Sequence, residues 1–131
     1  GPGAIRPGDT QRRPMIEERG KDLGRLIGQS KEYQELKRAN EALSQDAEAV
    51  KLLKSMEQLR HEAQRMIERG ERPTAEMEKQ LDELLGKVQV QTAYQRLIAA
   101  QENFDKLMAR VNEWILEGIE KGAASPIIML G

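Results

Sequence analysis

Apolar residues recur at steps of three and four along most of this chain, the spacing that gathers side chains on one face of an α-helix. Ile16, Leu23, Leu26 and Ile27 share such a face. After a break at Ser30, which can cap a helix with Glu32 near its positive end, Tyr33, Leu36, Asn40 and Leu43 resume the step. Asp46 can cap the next helix. Ala49, Leu52, Met56, Leu59, Ala63 and Met66 then form a heptad-like seam. The pattern stops at "ERGERPTAEME". Gly70 suits the position just past a helix end, Pro73 blocks simple continuation, and Thr74 can cap a new helix with Glu76 in its first turn. Met77, Leu81, Leu84 and Val88 make a returning seam. Two seams of similar period joined by a short connection predict an antiparallel helical hairpin.

The phase slips between Val88 and Tyr94. A kink, a short break capped by Thr92 and a stutter in one long helix all fit the slip. Beyond it Tyr94, Leu97, Gln101, Phe104, Met108, Val111 and Ile115 carry the last helix, which "GAASPIIMLG" is expected to end, leaving a short apolar tail. No stretch alternates with the period of a strand. The expected fold class is therefore all-α: a long antiparallel helical hairpin with shorter N-terminal helices, packing into an oligomeric helical bundle. Residues 1–14, "GPGAIRPGDTQRRP", hold three prolines and three glycines and no apolar period. They are expected to be a disordered leader or an expression remnant, with Met15 as the natural start. The expected organisation is a leader over 1–14, one helical domain over 15–121 and a C-terminal tail over 122–131.

Composition narrows the chemistry. Aromatics are 3% of the 131 residues, namely Tyr33, Tyr94, Phe104 and Trp114, so the core must come from Leu, Ala, Met and Ile on helix seams. Lys and Arg number 21 against 22 Asp and Glu. The leader holds Arg6, Arg12 and Arg13 against Asp9, so the remaining chain has 18 basic and 21 acidic residues, a balance of −3. That charge argues against direct nucleic-acid binding. The absence of cysteine excludes disulfides, thiolate nucleophiles and Cys-ligated metal centres in this chain. No apolar run reaches the length of a transmembrane helix, and no signal-peptide pattern opens the chain. A cytoplasmic location without membrane insertion is expected.

Few residues could do chemistry. His61 is the single histidine, and "EQLRH" sets Glu57 four residues before it. A di-iron helical bundle needs Glu-x-x-His instead, so His61 reads as a solvated helix position. The carboxylates sit among Lys and Arg at helical spacing and read as solubilising pairs. No phosphate loop, nucleophile elbow or zinc signature is present. No catalytic residue, cofactor or metal is expected. Gly20, Gly24 and Gly28 admit two readings: a site where another helix approaches closely, or a weakening of the first helix by about 1 kcal/mol per glycine.

What the pattern does supply is surplus apolar surface. Val50, Leu53 and Ile67 lie beside the main stripe of their helix, and Ala100, Leu107 and Trp114 beside that of the last. One hairpin contact covers one stripe on each helix, and a soluble monomer rarely exposes a large contiguous apolar patch. Leu53, Ile67, Leu107 and Trp114 are accordingly the candidate oligomer or partner interface, with a homodimer or higher even-numbered oligomer expected.

Four segments in order, "LIGQSKEYQELKRANEAL", "DAEAVKLL", "KSMEQLRHEAQRMIERG" and "YQRLIAAQENFDKLMARVNEWI", resemble the YlbF/YmcA family of small bacterial helical proteins over Ile16 to Ile119. Ile27, Ser30, Tyr33 and the Asp46 helix start carry the likeness most strongly. The resemblance implies an oligomeric, non-enzymatic regulatory subunit. It also implies association with paralogous family members and an influence on the membrane-anchored endoribonuclease RNase Y, and through mRNA processing on competence, biofilm formation and sporulation. Some relatives are linked to iron–sulfur clusters through cysteines; this chain has none, so no cluster carries over. Where the family often has Asn-Pro, this chain has Val90 and Gln91, which implies a softer helix break. Two other classes compete with this reading. A purely structural oligomer or secreted WXG-like hairpin would carry Trp-x-Gly in its turn, where this chain has "RGERPT"; a carboxylate metalloenzyme would need Glu-x-x-His.

Overall fold

The computed structural model describes the backbone of residues 9–130 and the side chains of residues 10–124. Among the described residues the only regular elements are five helices: α1 (Asp9–Gly28), α2 (Lys31–Gln45), α3 (Ala47–Glu68), α4 (Ala75–Gln89) and α5 (Thr92–Leu130). The protein is all-helical.

Three of the helix starts follow directly from local chemistry. Ser30 Oγ accepts the Tyr33 backbone N–H at 3.1 Å, Asp46 Oδ1 that of Ala49 at 3.0 Å, and Thr74 Oγ1 that of Met77 at 3.1 Å. Each bond satisfies a donor that the first helical turn leaves free, and each cap sits in extended backbone. The end of α3 is equally legible. Gly70 takes φ +79°, with its N–H on the Ile67 carbonyl at 3.0 Å and the Glu71 N–H on the Met66 carbonyl at 2.8 Å. This pair of bonds is a Schellman closure, and its left-handed residue favours glycine. Asp46→Ala is expected to destabilise the protein by about 1 kcal/mol, since it strips the cap at the bend between α2 and α3. A denaturant midpoint equal to that of the unsubstituted chain would show that the bend does not depend on this cap.

The bundle is built from two contacts. α2 packs along the first half of α5, and α3 packs along α4. At the first, Leu36, Ala39 and Ala100 are buried, with Leu97 and Phe104 packed against them. At the second, Leu52, Met56 and Val88 are buried beneath Leu53, Leu81, Leu84, Leu85 and Tyr94. Burial of these aliphatic groups is the main stabilising term in a chain so poor in aromatics.

The observed core corrects the sequence pattern in one respect. Asn40 and Gln101 satisfy the helical step but are exposed, and the α2–α5 seam runs instead through Ala39 and Ala100, at 0% and 6% exposure. Two alanines at the crossing let the helix backbones approach, and the flanking amides remain in water.

Two end segments also differ from expectation. Helix α1 reaches back to Asp9, so residues 9–14 of the expected leader are helical, with Pro14 inside the helix. An apolar period could not reveal this, because every residue from Thr10 to Asp22 is exposed and the segment buries nothing that would leave a period. Pro14 withholds a single backbone donor, one turn into the helix. Residues 1–8 lie outside the described residues. At the other end the backbone of α5 stays helical through "GAASP" to Leu130 instead of stopping there. The proline again removes one donor without ending the helix, and Ile, Met and Leu beyond it are compatible with helix.

The break between α4 and α5 is real and two residues long, Val90 and Gln91. It is also a copy of the break between α1 and α2. Ser30 N–H donates to the Ile27 carbonyl at 3.0 Å, as Gln91 N–H does to Val88 at 3.0 Å. Gln34 N–H reaches Ser30 at 3.0 Å, as Gln95 N–H reaches Gln91 at 3.0 Å. The Gln34 side-chain amide bridges back to the Gly28 carbonyl at 2.7 Å, and that of Gln95 to Gln89 at 2.8 Å. One constant offset relates all three pairs of bonds. It also aligns Tyr33 with Tyr94, Leu36 with Leu97, Ala39 with Ala100, and Leu43 with Phe104. The chain is thus an internal repeat, whose equivalent alanines meet at the α2–α5 contact.

Candidate interaction surface

The four residues singled out from sequence fall into separate environments. Leu53 is half-buried against the Leu52, Met56 and Val88 cluster. Ile67 is exposed on the last turns of α3, before the Gly70 closure. Leu107 and Trp114 lie together on α5. They line a shallow groove that α2 completes with Lys31, Glu32 and Glu35. Trp114 keeps 51% of its surface exposed. Its ring is covered on one side by Arg110, whose guanidinium carbon stands 5.5 Å from the ring centroid, a cation–π contact. Arg110 also pairs with Glu113 at 3.1 Å. This tryptophan is held in place by a charged neighbour and leaves one flank open, the usual form of a binding anchor.

Beyond Trp114 the helix continues with exposed Ile115, Leu116 and Ile119. Helix α1 is another place where apolar groups face water: Met15, Ile16 and Leu26 are all more than half exposed. This patch was not expected to extend to α1. Its signal was present, since Ile16, Leu23 and Ile27 share a face, but periodicity alone does not tell a covered stripe from an uncovered one. A side-chain carbon added at Gly20, Gly24 or Gly28 would meet nothing within 4 Å. Within this chain, therefore, no helix makes a close approach along the glycine series.

The remaining candidates are solvated. His61 is exposed, and the groove beside it is formed by Gln58, Gln64, Arg65 and Glu68 of the same helix. Among the described residues no group of three or more His, Cys, Asp or Glu side chains could hold a metal ion, and no helix is long and apolar enough to cross a membrane. Ion pairs such as Lys21 with Glu17 at 2.8 Å and Arg110 with Glu113 at 3.1 Å join exposed residues a helical turn apart. Pairs of this kind contribute little stability each and keep the surface wet.

The family described as "Control of competence regulator ComK, YlbF/YmcA" matches residues 16–120. The chain belongs to the YlbF/YmcA family. Among curated relatives it is similar to a UPF0342 protein of Limosilactobacillus reuteri strain DSM 20016, with 27% identity over 99 residues, covering 76% of this chain and 80% of that protein. A UPF0342 protein of Limosilactobacillus reuteri subsp. reuteri strain JCM 1112 matches to the same extent. The family match begins at Ile16 and ends within α5, so it takes in α1's apolar stripe as well as Trp114. A regulatory role is the family's described function.

Proposed function

We propose that this YlbF/YmcA-family protein is a non-catalytic regulatory subunit that acts through protein–protein contact. In this reading its antiparallel hairpin packs into an oligomeric bundle, and paralogous family members and RNase Y are its further partners. Its setting is the cytoplasmic control of mRNA processing that feeds competence, biofilm formation and sporulation. The observation that carries the reading is the half-exposed Trp114, clamped by Arg110 and followed by exposed Ile115, Leu116 and Ile119. Side chains of this kind in water are costly unless a partner covers them, and tryptophan is the residue most enriched at binding hot spots.

The slightly acidic body and the scarcity of aromatics favour contact with the nuclease over contact with RNA. The test combines purified chain, RNase Y and a transcript that RNase Y cuts. The chain alone is expected to leave the RNA intact and unshifted at physiological salt, and to change the rate or choice of cleavage when RNase Y is present. Cleavage by the chain alone, or sub-micromolar binding with a steep salt dependence, would contradict the proposal.

A further inference from the structure

Two pairs of helices carry two separate cores. Leu36, Ala39 and Ala100 are buried between α2 and α5, and Leu52, Met56 and Val88 between α3 and α4. The helix contacts divide in the same way, and among the described residues nothing comparable joins α2 to α4 or α3 to α5. Of the residues in the two clusters, Tyr94 alone crosses over, since it sits on α5 and packs on the α3–α4 core. The connections between the pairs lie at one level. Tyr33 meets Phe104 at the far end of the α2–α5 contact, so the end of α2 lies beside the start of α5. There the chain passes from α2 to α3 through Asp46, and from α4 to α5 through Val90 and Gln91.

Both crossings turn on a single residue. Asp46 N–H stays with α2, on the Leu43 carbonyl at 3.1 Å, while the Asp46 carbonyl accepts the Val50 N–H of α3 at 2.9 Å. At the other crossing Val90 keeps near-helical backbone, φ −90° and ψ −5°. Gln91 N–H stays with α4, on the Val88 carbonyl at 3.0 Å, and its carbonyl accepts the Gln95 N–H of α5 at 3.0 Å. Turning φ and ψ at such a residue swings one helix against the other and leaves both bonds intact, because the N–H and the carbonyl lie on opposite sides of the turning bonds. A few residues at helix ends commonly absorb hinge motion in this way. Asp46 also caps α3 with its side chain, whereas Gln91 stands where the other copy of the repeat has Ser30, and glutamine is not among the capping residues. The bond that spans the second crossing comes from exposed Gln95, whose Nε2 donates to the Gln89 carbonyl at 2.8 Å. We propose that the α3–α4 hairpin is a hinged arm, pivoting at Asp46 and Gln91 against the α2–α5 pair, with the Gln95–Gln89 hydrogen bond as its latch. The swing moves exposed Ile67 on the arm relative to exposed Trp114 on α5 without unpacking either core. A partner that touches both selects one angle of the arm.

The hinge does not depend on the regulatory reading above, and it is measured on the full chain without nuclease or RNA. Because the chain has no cysteine, pairs of spin labels can be placed cleanly. Labels at Lys79→Cys on α4 and Lys106→Cys on α5 span the hinge, and labels at Gln64→Cys and Lys79→Cys lie within the arm; all three positions are exposed. An excess of unlabelled chain confines the measured distances to one molecule. Pulsed electron paramagnetic resonance is expected to show the hinge-spanning distances spread at least about twofold more widely in Gln95→Ala than in the unsubstituted chain, with the within-arm distances unchanged. Gln101→Ala is the control. It removes a side-chain amide that bonds Asp105 within α5 at 2.9 Å and spans no joint, so the spanning distances are expected to stay as they were. Circular dichroism of each variant checks that the helices persist. Spanning distances that Gln95→Ala leaves unchanged, or that Gln101→Ala spreads equally, would overturn the proposal.

Discussion

Met56→Asp is expected to abolish or severely weaken cooperative unfolding, whereas Glu57→Ala leaves it almost unchanged. Met56 is 5% exposed at the centre of the α3–α4 contact, against Leu52 and Val88. A carboxylate there has no cation or donor to meet it, and an unpaired buried charge costs several kcal/mol unless it is neutralised by protonation. The loss of the methionine's own packing adds to the cost. Glu57 is the next residue but points to solvent, where substitutions typically stay within about 0.5 kcal/mol. Thermal melts of the two variants decide the matter. Similar midpoints would mean that the α3 seam does not face α4 through Met56.

Ala39→Leu and Ala100→Leu are expected to be the next most damaging changes, each destabilising by about 1–3 kcal/mol through overpacking of the α2–α5 crossing. Both alanines belong to the repeat, and both are buried where the helices meet. Extra methylenes there must push the helices apart or force side chains off their rotamers. Tyr33 and Phe104, whose ring centroids lie 5.8 Å apart at one end of the same contact, would be displaced with them. Asn40→Ala and Gln101→Ala, one residue along, should change stability by less than about 0.5 kcal/mol. Urea unfolding at a common m-value reads the differences. A larger loss at Asn40 than at Ala39 would restore the seam first suggested by spacing.

That contrast shows where the sequence was readable. Ser30, Asp46, Thr74 and Gly70 announce helix ends because their chemistry is local: a side-chain oxygen three residues from an unpaired N–H, or a backbone angle that favours glycine. The α3–α4 contact was legible because its apolar residues are large and leave a clear period. At α2–α5 the period is ambiguous by one position, since alanine is too small to announce a seam and asparagine is not excluded by spacing. The start of α1, residues 9–14, was hidden for another reason. It buries nothing among the described side chains, so its helicity left no pattern, and Pro14 argued against it. Trp114 was readable as surplus apolar surface, but its clamp by Arg110 was not. The internal repeat was hidden too, because it emerges from matched hydrogen bonds at Gln34 and Gln95 and is faint in the residues alone.

The regulatory role is tested most directly in the organism that carries this gene. Transcript 5′ ends would be mapped across the genome in the parent, in a strain lacking the gene, and in that strain supplied with the intact gene. A regulatory subunit of RNA processing predicts that a defined subset of RNase Y-dependent ends is lost without the protein and regained with it. A map of those ends unchanged by the deletion would contradict the account.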